Sequence, residues 1–503
     1  MNQAGGGRAG AREWGGLGLL ALPTLLLGMD VTVLYLVLPS LAADVRPSAT
    51  QTLWIMDAYG FLIAGFLITM GNLGDRIGRR RLLMIGAAGF ALASVLAAFS
   101  SSAWMLIAAR ALLGVAGATL MPSTLALISN MFVDLRQRAL AIGVWATMFA
   151  LGMAAGPVIG GMLLARFWWG AAFLIAVPVV AVLLVAAPFM LPEYRAPREG
   201  GFDLPSVVLS LAAILPIIFA IKHAAADGFD ATVLGAAAVG AGCSVLFVRR
   251  QRALPAPLLD VMLFTSRAFT AALCILLIGL VGVGGVMFLI TQYLQLVEGL
   301  SATVAGLWMG PPALAMLAAA IGAPLIARRV RPATVMTTTL VISLIGYGLL
   351  ATTGPGRPSS VVVAFAFVYL GLGAIAALGT DIVVGAAPPT KAGSAAAMSE
   401  TVQELGIAVG VAVLGSLTTA LYRSRVAVPT TLPPEIADRV GDSLSAVLTV
   451  TDEVPVETVE HAKAVFTSGL NAAALVAGLG VGAVAVVCAI TLRHIRPITG
   501  STA

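Results

Sequence analysis

Runs of apolar residues about 20 long recur along this chain, and that recurrence constrains its fold more than any other feature. They fall near 17–38, 52–72, 82–101, 103–131, 139–163, 169–190, 204–222, 231–248, 268–291, 301–327, 333–352, 359–386, 393–421 and 466–491. A helix rises ~1.5 Å per residue, so roughly 20 residues cross the ~30 Å hydrocarbon layer. In lipid every backbone amide must be satisfied internally, and runs this long do so as helices rather than strands. The expectation is an all-α polytopic membrane protein with 14 transmembrane helices. Charge content agrees, since only 10% of the 503 residues are charged, against about a quarter in soluble domains.

Loop charges set the expected orientation. Arg8 and Arg12, Arg76 to Arg81, Arg136 and Arg138, Arg195 and Arg198, Arg249 to Arg267, Arg328 to Arg331, Lys391, and Arg493 and Arg496 all fall in alternate loops. Basic residues stay on the cytoplasmic side, so both termini are expected there, in a bacterial inner membrane. The net charge of +6 therefore reports topology and not nucleic-acid binding. Residues 1–16 read as a disordered tail, and the run from 17 is too long for a signal peptide. The sizeable polar segment, 422–465, falls on the outer side with a net charge of −3. Within it Ile436, Val440, Leu444 and Leu448 recur at helical spacing, which suggests a short amphipathic helix lying as a cap.

Several chemistries are poorly served. Cys243, Cys274 and Cys488 lie inside apolar runs at no metal-like spacing, and His223, His461 and His494 are scattered. Neither a metal site nor an enzyme's catalytic cluster is expected. None of Lys222, Lys391 and Lys463 follows a glycine, so the chain has no phosphate loop for ATP. No cofactor is expected, and any uphill work is not driven by ATP hydrolysis in this chain.

Ionisable groups deep in apolar spans cost a few kcal/mol each and are functional candidates by default. Six stand out: Asp30, Asp57, Arg110, Asp381, Glu400 and Glu404. Asp30, Asp57 and Arg110 lie at comparable depth in the first, second and fourth runs. Arg110 can pair with either acid, as a fixed strut or as an exchangeable, proton-dependent pair. Glu400 and Glu404 share one helical face by their spacing of four, and two buried acids repel. That suits a site for a proton or an organic cation, with Glu404 first, Glu400 second and Asp381 third.

Two glycine patterns complete the inventory. Between the second and third runs stands Gly71-Asn72-Leu73-Gly74-Asp75-Arg76-Ile77-Gly78-Arg79-Arg80-Arg81, a tight turn with a stopper of arginines. In the fifth run Gly152, Gly156 and Gly160 recur every four residues beside Pro157 and Gly161, a stripe that lets a neighbouring backbone approach.

Taken jointly, these motifs resemble the fourteen-helix drug:proton antiporter branch of the major facilitator superfamily. The opening loop matches that superfamily's signature, with Gly74 in place of an alanine. Asp30-Val31-Thr32 with Pro39, and Trp54, Asp57, Ala58 and Tyr59, match the first two helices. Arg110-x-x-x-Gly114 matches the fourth, although Leu113 stands where glutamine is common. Gly152 to Gly161 resembles the antiporter motif. Trp169, Phe173, Ile175 and Pro178 fit the sixth helix, although Gly170 and Ala176 depart from it. Pro388, Ala392-Gly393, Glu400-Thr401 and Gly406 fit the loop and helix that follow the twelfth run. Residues 322–332 look like a worn copy of the opening loop without its aspartate.

The resemblance implies two six-helix bundles, 17–190 and 268–491, with two inserted helices at 204–248. Cytoplasmic linkers 191–203 and 249–267 and a tail 492–503 join and end them. It implies a monomer that exports amphipathic, mostly cationic drugs and dyes (ethidium, acriflavine, quaternary ammonium compounds, fluoroquinolones) by alternating access, driven by protons. Asp30, Arg110 and Asp57 would couple protons, and Glu404, Glu400 and Asp381 would meet substrate. Gly71, Asp75, Arg76, Gly78, Arg79, Arg80 and Asp134 would gate the cytoplasmic side. Asp75 would face the amino end of the helix after the twelfth run, and a loop arginine would pair with Asp134. An exporter of an endogenous lipid, siderophore or peptide on the same fold is the alternative.

Overall fold

The computed structural model describes residues 9–195, 203–254, 257, 259, 261–387 and 392–493. Its long helices are α1 Ala11–Val45, α2 Ala49–Ile77, α3 Arg79–Ala98, α4 Ala103–Met131, α5 Leu135–Leu164, α6 Ala171–Met190, α7 Leu204–Asp227, α8 Ala231–Ala253, α9 Arg267–Val297, α10 Ala302–Ala327, α11 Pro332–Leu350, α12 Pro358–Gly385, α13 Ala392–Arg425 and α14 Val456–Thr491. Each coincides with one of the apolar runs. Among the described residues, 12 are long and apolar enough to cross a membrane. Helix α5, bent by 41° between Met153 and Ala155, makes a thirteenth. Pro157 accounts for the bend, because it has no N–H to give the Met153 carbonyl.

Helix starts are written locally. Ser48, Ser102, Asp134, Asp203, Asp230, Ser266 and Ser301 each accept a hydrogen bond from the backbone two or three residues into the helix they precede, which satisfies an otherwise orphaned amide. The segment expected as a disordered tail is helical from Ala11, because Glu13 turns back to accept the Gly10 N–H at 2.7 Å and Trp14 packs edge-on to Phe132. At the other end α13 and α14 run past their apolar cores, shortening the polar segment between them to 426–455. That segment folds into helices Pro434–Asp442 and Leu444–Val447, with Val440 and Leu444 buried against the bundle.

The packing scheme occurs twice. Helix α1 packs on α5, α2 on α4, and α3 on α4 and α6; eight helices later α9 packs on α13, α10 on α12, and α11 on α12 and α14. These two six-helix units meet along α2 against α13, α5 against α10 and α1 against α9. The inserted helices form an antiparallel hairpin turned at Gly228, φ 89°. Its first member, α7, lies over the α2/α13 seam, where Ile218 joins Phe61, Ala408 and Ala412 in a separate apolar cluster. Leu92, Val185, Leu234 and Leu479 are about 70% exposed, an apolar girdle that only lipid covers favourably.

One face of the bundle carries the α2–α3 turn and is called here the arginine face. The opposite one carries the two short helices and is called the cap face. The break between α2 and α3 is narrower than the sequence suggests. Helix α2 runs through Ile77 and α3 starts at Arg79, so Gly78 alone lies outside a helix, at φ 111°. That backbone conformation favours glycine.

A buried polar cluster between the bundles

Arg110 sits two turns into α4 with its side chain 2% exposed. Its Nη1 donates to Asp30 Oδ2 of α1 at 2.7 Å, and its Nε donates to the Ile55 carbonyl of α2 at 3.2 Å. The guanidinium also lies 4.5 Å from the ring centre of Tyr59, a favourable cation–π placement. One arginine thus holds three helices of the first bundle. Of the two acids open to it from sequence, the ion pair is with Asp30. Asp57 is buried one helical turn before Gly60 on α2.

The second bundle delivers its own acid to the same layer. Glu404 on α13 is 3% exposed. Opposite it, a Cβ on Gly60 would lie 2.9 Å from Ala408 Cβ and 3.8 Å from the Glu404 carbonyl oxygen, so α2 and α13 almost touch there. Glu404 is within electrostatic reach of both Glu400 and Asp30, and Tyr35 is within reach of Asp57, Arg110 and Glu404. Groups that the sequence assigned to two separate tasks therefore form one cluster across the bundle interface. Asp381 stands apart. It is exposed, four residues from the end of α12, while Thr380 beside it joins Ser399 and Gln403 of α13 in a hydrogen-bonded set.

The glycine stripe of α5 explains how α1 is held. A Cβ on Gly152 would fall 2.1 Å from the Leu25 carbonyl, and one on Gly156 would fall 2.0 Å from Thr32 Oγ1. Gly160 faces Val33 of α1, whereas Gly161 faces the Ala302 carbonyl of α10 across the bundle interface. Thr32 donates its hydroxyl to the Met153 carbonyl at 3.0 Å, the acceptor that Pro157 leaves open. Towards the cap face Gln292 Nε2 donates to the Tyr35 carbonyl at 2.9 Å and Phe288 packs edge-on to Tyr35. These contacts join α1 to α9. Neither Thr32's bond nor Gln292 belongs to the set expected from sequence.

On the arginine face the partner of the turn is Glu193, not Asp134. Glu193 accepts the Arg80 N–H at 3.1 Å and lies 3.7 Å from Arg80 Nε, while Arg80 Nη1 reaches the Pro188 and Leu191 carbonyls. Arg79 donates its N–H to the Tyr194 carbonyl at 3.0 Å. Asp134 caps α5 through the Gln137 N–H. Gly71 packs near Pro122 and Arg76 is half-buried. The side chain of Asp75 lies outside the described residues.

Two pseudo-repeated six-helix bundles around a charged seam define a secondary-transporter architecture, and the comparisons identify it. The Major Facilitator Superfamily model matches residues 20–411, and the chain belongs to that superfamily. It is 45% identical to the multidrug efflux pump LfrA of Mycolicibacterium smegmatis over 97% of this chain and 98% of that one. It is 34% identical to the methyl viologen resistance protein SmvA of Salmonella typhimurium, over 88% and 90% respectively. A bacterial homologue of the human lysosomal transporter Spinster, solved in an inward-facing, unoccupied conformation, shares the fold with a TM-score of 0.66 at 15% identity, covering 96% of this chain and 97% of that one. The molecule is a multi-pass membrane transporter of that superfamily.

Proposed function

We propose that the protein is a monomeric antiporter that exports amphipathic, mainly cationic compounds in exchange for protons. Dyes such as ethidium and acriflavine, quaternary ammonium compounds and fluoroquinolones are its expected cargo. LfrA and SmvA, named for multidrug efflux and methyl viologen resistance, support the substrate class. Loop arginines support a reading in which the arginine face and both termini lie in the cytoplasm of a bacterial plasma membrane.

The observation that carries the coupling is the Arg110–Asp30 pair within electrostatic reach of Glu404. A proton arriving at Asp30 removes the charge that holds Arg110. The guanidinium then keeps its Ile55 carbonyl bond and turns towards the remaining acids. An organic cation from the cytoplasm takes the place of a proton on Glu404, with Glu400 and Asp57 adjusting the charge of the cluster. Because proton and cargo answer to one set of carboxylates, occupancy by one disfavours the other. The α1–α9 contacts open only when α1 and α5 tilt together. Each charge carried inward gains ~2.3 kcal/mol per 100 mV.

The experiment is dye transport in proteoliposomes with an imposed pH gradient. Wild type is expected to accumulate ethidium against its gradient, and Asp30→Asn to lose that accumulation while still binding dye. Glu404→Gln is expected to weaken ethidium binding about tenfold or more. Unchanged uphill transport by Asp30→Asn overturns the coupling.

A further inference from the structure

Beneath the cap lies a half-open cavity of about 450 Å³, lined by the ends of α1 and α2 from one bundle, by α9, α13 and α14 from the other, and by the helix Pro434–Asp442. Small-molecule sites span roughly 300–1,000 Å³. Its floor is apolar, with Leu38 and Phe288, and its rim carries Arg46 from the end of α1 and Asp438, Arg439 and Asp442 from the cap. Asp442 is already engaged by Arg423 at 2.7 Å. The other charged residues of the cavity wall are Arg46, Arg439 and Asp438. A plain cation meets the arginines there and a plain anion meets Asp438, whereas a molecule bearing both signs satisfies both.

Arg46 is the C-terminal cap of α1. Among the described residues it is the non-glycine with positive φ, 50°, at the lip of this cavity. A left-handed backbone costs an ordinary residue about 1–2 kcal/mol; here it is held by the Arg46 N–H bond to the Ala42 carbonyl at 3.0 Å. It ends α1, turns the chain into α2 and sets Arg46 in the cavity wall.

The geometry points to a second ligand site under the cap, distinct from the buried acid cluster, for a drug-sized zwitterionic amphipath. Its occupation holds the two bundles together on the cap face. The second half of that statement rests on the alternating-access reading above. The cavity shares its floor with the α1–α9 closure, since Gln292 lines it while bonding the Tyr35 carbonyl. A ligand touching both bundles favours the state in which they meet, by its own binding free energy. At ten times its Kd it disfavours opening about elevenfold. Zwitterions outside the cell would therefore act as brakes on export.

The test uses Ser445→Cys, at the cavity wall, in the full-length protein in intact cells, labelled with a membrane-impermeant maleimide against the parent as blank. The probes are norfloxacin, which carries a carboxylate and an ammonium, and ethidium, a plain cation. Norfloxacin is expected to slow labelling about tenfold, ethidium less than twofold. The protection should persist with Glu404→Gln and disappear with Arg46→Gln or Asp438→Asn. External norfloxacin should also slow efflux of preloaded ethidium, and Arg46→Gln should relieve that slowing. No protection, equal protection by ethidium, or protection that depends on Glu404 and not on Arg46 overturns the site. Equal slowing in wild type and Arg46→Gln overturns the brake. Labelling needs no pH gradient, so failure of proton coupling leaves this readout standing.

Discussion

Thr32 donates its hydroxyl to the Met153 carbonyl at 3.0 Å, and Met153 is the residue whose carbonyl Pro157 deprives of its helical donor. The bond crosses from α1 to α5 two residues beyond Asp30. It therefore ties the helix that carries the candidate proton site to the helix that bends. A buried carbonyl without a donor costs about 1–3 kcal/mol. Thr32→Val keeps the shape and removes the donor. It is expected to destabilise the protein by that amount, seen as a lower unfolding temperature, and to reduce dye export several-fold. Thr32→Ser should restore both. Equal thermal stability of the valine and serine variants would show that the hydroxyl bond contributes nothing.

Gln292 and Pro39 stand in the same relation on the other side of α1. Pro39 offers no N–H to the Tyr35 carbonyl, and Gln292 of α9 supplies one at 2.9 Å. The closure between the bundles is thus built on a helix defect. Gln292→Leu is expected to shift the equilibrium towards cap-face opening by about 1 kcal/mol, a factor of about five. Impermeant reagents at a cysteine placed on Thr52 would read it. Pro39→Ala restores the helical bond and should make Gln292→Leu nearly silent, and the double-mutant cycle measures that coupling. Additive effects of the two substitutions refute the pairing.

These two bonds also show what was readable from the chain and what was not. The spans were legible because apolar length alone specifies them in lipid. Asp30, Arg110 and Glu404 were legible because charge in oil is rare. Their convergence was not, since spacing along each helix says nothing of which faces meet across two bundles. Thr32 and Gln292 were hidden by their modest chemistry, although Pro39 and Pro157 announce two carbonyls in need of donors. Asp134 was misplaced because counting charges at one membrane level treats all acids alike. Its position directly before Leu135 with Gln137 three residues on is a helix-cap signal, and Glu193 is the acid that reaches the turn.

The inserted hairpin is fastened at its open end by Asp203. Arg250 Nη2 donates to Asp203 Oδ1 at 2.7 Å, and Ser206 donates its hydroxyl to the same carboxylate. Gln251 joins through Ser206 and receives the Leu259 N–H. Burial alone pushes the Asp203 carboxyl up, but the hydrogen bonds from Arg250 and Ser206 outweigh it and hold it below the ordinary 3.8. A carboxyl lowered on folding stabilises fully above its unfolded value, and that stabilisation is lost as pH falls below about 4. Asp203→Ala is expected to cost about 1–2 kcal/mol through the lost cap and to expose the linker after α8 to protease at neutral pH. In the wild type the same exposure should appear only in acid. Identical cleavage of the two proteins at pH 7 would dismiss the fastening.

Gly78 and Glu193 give the sharpest steric prediction. Gly78 has φ 111°, and a Cβ placed there would lie 2.5 Å from Glu193 Oε1. Any side chain at this position strains the backbone and displaces the carboxylate that receives the Arg80 N–H. Gly78→Ala is expected to cost about 1–2 kcal/mol from the backbone alone and to separate the α2–α3 turn from the end of α6. Glu193→Ala leaves the backbone unstrained but removes the acceptor. The two variants should therefore both loosen the arginine face, raising the reactivity of a cysteine at Arg81 in inverted vesicles, and only Gly78→Ala should lower the unfolding temperature strongly. If Glu193→Ala leaves that reactivity unchanged, the turn is held by its glycine and not by the carboxylate.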